Sequence, residues 1–242
     1  FVGPLFTTSG DKDDGFIFQT NLSLGNTNEW LTYYGGNSYD YLNTCKFDSN
    51  GNFYVGGYSM STNLGVVASG SQYSQNYNTA QQAQITGGDV SDAIIMTFTN
   101  TSFALNWATY FGTHLNTATT KISDDEFTDI DFDGSGNVYA VGRSGGISMP
   151  SAANTPFTTN GTDGIAVKFT NGQALSVSRY TNKTQRNAAV RIHNNQLYTV
   201  GFANTALSGV NSGNYYYNNT PSTGYYDGSL IITDLSLNVN HA

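Results

Sequence analysis

KFDSNGNFYVGGYS (46–59) decides the fold, because the chain writes it again as DFDGSGNVYAVGRS (131–144) and, more loosely, as RIHNNQLYTVGFA (191–203). Each copy is an alternating apolar run, a polar turn, then a second alternating run ending in Gly. That is the pattern of a β-hairpin repeated along a chain. TCKFD (44–48), DIDFD (129–133) and AVRIH (189–193) place Cys45 and Phe47, Ile130 and Phe132, and Val190 and Ile192 on one face, with Lys46, Asp131 and Arg191 on the other. SNG, GSG and NN supply the turns, since Gly and Asn tolerate positive φ.

Two further segments recur between the hairpins. One is DGFIFQTNL (14–22), DAIIMTFT (92–99), DGIAVKFT (163–170) and DGSLIITDL (227–235); the other is EWLTYYGG (29–36), NWATYFGT (106–113) and LSVSRYTN (175–182). Four strands in a fixed order make one antiparallel unit, recurring every 59 to 85 residues depending on the landmark. Variable spacing with constant strands puts the insertions in loops. Four-stranded units repeated radially are the mark of a β-propeller, whereas β-helices and linear solenoids repeat at shorter periods. The expected fold is therefore all-β, a propeller of four-stranded antiparallel blades. The chain holds about three and a half of them: the second half of a blade (1–36), two full blades (43–113 and 127–181) and a partial blade (188–235). Closure takes about 4 to 8 blades, so the remainder of a longer polypeptide is expected to complete the ring.

Composition narrows the partners. Charged residues are 11% of the chain, against roughly 25% in ordinary soluble proteins, and the net charge is −8. That balance repels phosphate backbones and anionic lipid, excluding nucleic acid as a natural partner. No apolar run reaches the ~18 residues that span a bilayer as a helix, so no membrane insertion is expected. Cys45, the single cysteine, takes the place of Ile130 and Val190 and is expected to be a small core residue.

The order D-G/A-apolar strand, W-x-T-Y-x-G, apolar-F-D-x-x-G-N-x-Y-x-x-G, then a Ser/Thr-rich loop resembles the SBBP type of bacterial β-propeller repeat, most closely over 14–59 and 92–144. The third copy departs from it, with His193 for the turn Asp, Asn194-Asn195 for the Gly turn and Ser176 for Trp. The resemblance implies an exported protein with the F-D strand innermost. With the Asn/Thr/Tyr-rich composition it points to a Bacteroidota-type secreted or cell-surface protein, exported by the type IX system and serving adhesion, surface assembly or gliding-type attachment.

Candidate sites are few. Tyr215, Tyr216 and Tyr217, with Tyr73 and Tyr77, form two Tyr-rich loops suited to stacking on sugar rings or gripping a protein. Asp129, Asp131 and Asp133 followed by Gly134 start like an EF-hand loop, but position twelve is Ala140 rather than Glu. A structural Ca²⁺ is the weak expectation there, and no other cofactor is expected. Asp48, Gly51 and Asn52, with Asp133, Gly136 and Asn137, read as structural turns resembling the Asp-box. Asp14, Asp92, Asp163 and Asp227 recur before the third strand, where backbone capping is the ordinary use. His114, His193 and His241 lack metal-ligand spacing, and no G-x-S-x-G elbow occurs. The expectation is a non-catalytic scaffold for a surface protein or glycan. The alternatives are a polysaccharide-binding module or glycan-active enzyme using carboxylates and tyrosines at a propeller mouth, and a spacer without a ligand.

Overall fold

The computed structural model describes residues 12–20, 28–61, 64, 91–99, 104–111, 124–145, 163–170, 173–179, 185–203 and 227–237. They form thirteen strands and, among the described residues, no helix. β1 (Gly15–Thr20) and β2 (Asn28–Tyr34) make a two-stranded sheet. β3 (Asp40–Phe47), β4 (Phe53–Ser59), β5 (Asp92–Phe98) and β6 (Leu105–Phe111) make a four-stranded sheet. β7 (Glu126–Phe132), β8 (Val138–Ser144), β9 (Asp163–Thr170) and β10 (Gln173–Arg179) make another, and β11 (Gln185–His193), β12 (Gln196–Ala203) and β13 (Asp227–Asp234) a three-stranded one. Every neighbouring pair is antiparallel and follows chain order. The all-β, antiparallel expectation holds, and each of the thirteen segments identified by alternation is a strand.

The first strand of each full repeat is longer than alternation suggested, for one reason. β3, β7 and β11 each carry a bulge, at Asn43, Thr128 and Ala188 respectively, where register slips by one residue. A slip of one inverts the inside–outside pattern, so a period-two reading stops there. The bulge also explains the Gly that ends each repeat motif. Gly57, Gly142 and Gly201 lie opposite Leu42, Phe127 and Asn187. A Cβ there would sit 1.9 Å from Tyr41 O, 1.8 Å from Glu126 O and 2.2 Å from Arg186 O. The carbonyl driven across by the bulge leaves room for hydrogen alone.

Successive sheets pack face to face. The forward face of β1–β2 (Ile17, Trp30, Tyr34) meets the backward face of the β3–β6 sheet (Phe53, Val55, Ile94, Met96, Phe98). The forward face of that sheet (Tyr54, Ala93, Ile95, Phe111) meets Phe127, Ile130, Val138, Ala140 and Ile165 of the next. Tyr139, Val141 and Ala166 then cover Val190, Leu197 and Ile231. Central β5 is consequently buried at every residue, as a strand covered on both faces must be. β7 lies on β3, β4 and β5, and β11 lies on β7, β8 and β9. Asp40 N donates to Asp13 O at 2.8 Å and Asp125 N to Ser91 O at 2.9 Å, so two successive joints repeat the same backbone bond.

One expectation is corrected. Cys45 is exposed, not a core residue, and its neighbour on that face, Phe47, is 60% exposed, whereas Ile130 and Val190 are 0% and 1% exposed. The reason lies outside the strand. Ile130 packs under Gly56 of the preceding hairpin, whose Cβ would lie 3.6 Å from Ile130 Cγ2. Among the described residues the sheet before β3 consists of β1 and β2, which match the third and fourth strands of a repeat. No described hairpin therefore reaches Cys45.

Candidate functional site

The turn residues behave as their sequence implied. Asp48 Oδ1 accepts from the amides of Asn50 and Asn52, both at 2.8 Å, and Oδ2 accepts from Asn52 Nδ2 at 2.9 Å. Gly51 N donates to Asp48 O at 3.0 Å with Gly51 at φ 80°. Asp133 repeats this with Ser135 N (2.8 Å), Asn137 N (3.0 Å) and Asn137 Nδ2 (2.6 Å), and Gly136 has φ 79°. Both are type I turns closed by a left-handed Gly. Burial opposes ionisation of Asp133, but the donors of Asn137, Ser135 and Tyr139 outweigh it and hold the carboxyl below its ordinary value. Here the aspartates close hairpins.

Asp129, Asp131 and Asp133 do not converge. Asp129 and Asp131 stand on the same side of β7 and reach β11 instead. Asp129 Oδ2 accepts from Val190 N (3.0 Å) and Arg191 Nη1 (2.9 Å), while Oδ1 accepts from Thr44 Oγ1 (3.1 Å) and faces Lys46 Nζ (2.9 Å). Asp131 Oδ2 accepts from Ile192 N at 2.7 Å. Burial would raise the pKa of Asp129, yet Val190 N–H and the Lys46 ammonium more than offset it, so its carboxyl lies below the usual range. Among the described residues no group of three or more His, Cys, Asp or Glu is placed to hold a metal.

These contacts form a polar seam along the first strands. Asn43 Nδ2 donates to Phe127 O at 2.9 Å, and Thr128 Oγ1 to Asn187 O at 2.5 Å. Both donors are bulge residues, and both acceptors precede the next sheet's bulge. Lys46 Nζ also donates to Ile130 O. In an edge strand alternate amides and carbonyls face away from the paired neighbour. In β7 and β11 several of those groups are taken by side chains of the preceding sheet. Sequence reasoning missed the seam because Lys46, Asp131 and Arg191 differ in charge; Lys46 and Asp131 share reach toward the next sheet's backbone, while Arg191 reaches back to Asp129.

A second feature sits at the bulge end. Tyr39, Tyr41 and Tyr58 stack in a row, with centroids 6.5 Å and 4.8 Å apart, and Lys12 Nζ lies 4.2 Å from the Tyr39 centroid. In the next sheet the positions of Tyr41 and Tyr58 are Glu126 and Arg143, whose Oε1 and Nε are 3.2 Å apart; Arg186 Nε lies 2.6 Å from the same oxygen. The rings spend their faces on one another, so Tyr41 offers solvent an edge and a hydroxyl rather than a platform. The Tyr39-x-Tyr41 spacing signals this only once β3 and β4 are paired.

Nearby, Asp40 is buried with Oδ2 accepting from Gly36 N (2.9 Å) and Ser61 Oγ (2.7 Å). Burial raises its pKa despite the Ser59, Ser61 and Gly36 donors. Among the recurrent aspartates, Asp92 is buried opposite Ser59. Tyr73, Tyr77, Tyr215, Tyr216 and Tyr217 lie outside the described residues. Comparison with protein-family models finds no match, and comparison with curated proteins finds none either.

Proposed function

We propose that the chain is part of a β-propeller that works as a rigid, non-catalytic platform at a bacterial cell surface, for adhesion, surface assembly or gliding-type attachment. The observation that carries the reading is the repeated joint. The same bulge, the same glycine and the same side-chain-to-backbone seam link β3 to β7 and β7 to β11. One relation repeated between twisted sheets is what a ring about an axis requires; in that ring β3, β7 and β11 would lie innermost and further repeats of a longer polypeptide would complete it. Carboxylates that a hydrolase would keep for substrate are committed here to turns and to backbone amides. Export by the type IX system rests on the resemblance to SBBP repeats.

A surface partner would meet the Tyr-rich loops over 71–78 and 214–219. The chain immobilised on beads is expected to retain cells or a partner protein, and to lose that retention when both loops are deleted. A glycan array and a hydrolysis screen decide the class: retention without specific sugar binding or turnover supports the platform. Sugar-specific binding supports glycan recognition, the second reading.

A further inference from the structure

Asp129 and Asp133 each meet four donors. Asp14 and Asp40, where the first two sheets meet, do not. Asp40 is 1% exposed. Its Oδ2 accepts from Gly36 N and Ser61 Oγ, but its Oδ1 is buried without a hydrogen-bond partner, and so are both carboxylate oxygens of Asp14. Among the described residues no ion pair reaches either acid, and Lys12 Nζ stands over the Tyr39 ring instead. Burying carboxylate oxygens without donors is costly.

The two acids are neighbours. Asp40 N donates to Asp13 O at 2.8 Å, which brings Asp14 to the start of β3. Gly35 and Gly36 then touch one carboxylate each. A Cβ on Gly35 would stand 2.1 Å from Asp14 Oδ1, while Gly36 N gives its proton to Asp40 Oδ2. The negative charge of Asp14 acts on Asp40, and like charges side by side need a counter-charge or lose ionisation. A single proton joins at most two oxygens, whereas a cation can contact all three.

We infer that Asp14 and Asp40 together form a binding site for one Ca²⁺ ion at the joint between the first two sheets. Carboxylate oxygens are the ligands a hard cation prefers, and Ca²⁺ accepts an irregular set completed by backbone carbonyls and water, whereas Mg²⁺ demands a near-ideal octahedron. Asp14 is half-buried and Asp13 beside it is exposed, which leaves the site a route to solvent. Sequence spacing hides the pair, because the acids lie on different sheets. The inference goes beyond the platform reading and needs only the contact between these two sheets, whether or not a ring forms.

The test uses the whole 242-residue chain, stripped with EDTA and dialysed at neutral pH. Saturating Ca²⁺ is expected to raise its thermal midpoint by about 5 °C or more. Tb³⁺, which takes the same oxygen ligands, should luminesce on excitation of tyrosine, and Ca²⁺ should displace it. Two tyrosines stand close enough to sensitise it: Tyr34 precedes Gly35, and Tyr110 Oη donates to Ser61 O at 2.6 Å. Asp14→Asn and Asp40→Asn keep the shape and remove the charge, and an amide at either position can donate to the other acid. In EDTA these variants should therefore match or exceed the parent's midpoint; with Ca²⁺ the parent should overtake them. The Ca²⁺ concentration for half the effect should rise about tenfold or more in each, and stay within about threefold in Asp13→Asn, an exposed neighbour. A chain with neither a Ca²⁺-dependent shift nor Tb³⁺ luminescence overturns the inference, as does a response to Mg²⁺ but not Ca²⁺. An unchanged Ca²⁺ response in Asp14→Asn, or an equal loss in Asp13→Asn, overturns it too. So does a midpoint that climbs toward about pH 5 and ignores Ca²⁺ throughout, since a proton is then what the pair takes up.

Discussion

Gly142 and Gly134 lie eight residues apart and answer to different constraints. A methyl on Gly142 would stand 1.8 Å from Glu126 O, a backbone atom that the bulge holds in place, whereas one on Gly134 meets nothing within 4 Å. Gly142→Ala is therefore expected to cost about 3 kcal/mol or more, and Gly134→Ala to stay within about 0.5 kcal/mol, in urea unfolding of the two variants. Asp129 and Asp40 are similarly opposed, through pH. The lowered pKa of Asp129 means that its contribution is present above the unfolded carboxyl value and is lost as pH falls through the folded one. Asp129→Asn should cost about 3 kcal/mol at neutral pH, with the difference from the parent shrinking below about pH 4. Asp40 has a raised pKa, so its protonated form favours the fold at low pH and that advantage disappears as pH rises. Asp40→Asn should then compare better with the parent at pH 7 than at pH 4. Unfolding curves at several pH values, read for the sign of each trend, check both.

At the scale of one hairpin, the three copies show two ways to close the same pair of strands. Asp48–Asn52 and Asp133–Asn137 use a type I turn followed by a left-handed Gly, while His193 and Gln196 are joined through Asn194 (φ 48°) and Asn195 (φ 58°). The absence of Gly at 194–195 is no defect, since a two-residue turn with both φ positive accepts Asn. Asp133→Ala strips acceptors from two turn amides and from Asn137 and is expected to cost about 1–2 kcal/mol. Asn195→Gly removes the residual left-handed penalty and should gain about 0.5 kcal/mol. Thermal denaturation of both variants tests the pair; a neutral Asp133→Ala would mean that water replaces the carboxylate at no cost.

Among the described residues, the buried apolar clusters lie in the joints between successive sheets. Phe111 packs on Phe127 at 5.6 Å and on Phe169 at 6.2 Å, bridging the two four-stranded sheets. Phe111→Ala should cost about 3–5 kcal/mol. The chain's two tryptophans report separate joints, Trp30 the first and Trp107 the second. If the joints fold as one unit, Trp30→Phe and Trp107→Phe versions of this variant will show the same lowered midpoint by fluorescence. A shift confined to Trp107 would mean that the joints unfold independently.

Alternation, turn residues and the recurring Gly were enough to locate the thirteen described strands and their antiparallel order, because those properties are local: period two follows from the pleat, and positive φ from the absence or polarity of a side chain. The Asp48 and Asp133 turns were legible for the same reason. Tertiary structure alone decided the rest. Cys45 has the pattern of a core residue and is exposed because burial of a strand face depends on which sheet precedes it. The bulges escaped detection because a slip of one residue erases the alternation that reveals a strand. Asp129, Asp131 and Lys46 carry charges of both signs and so share no charge motif; what they share is reach to the backbone of a strand some sixty or more residues away.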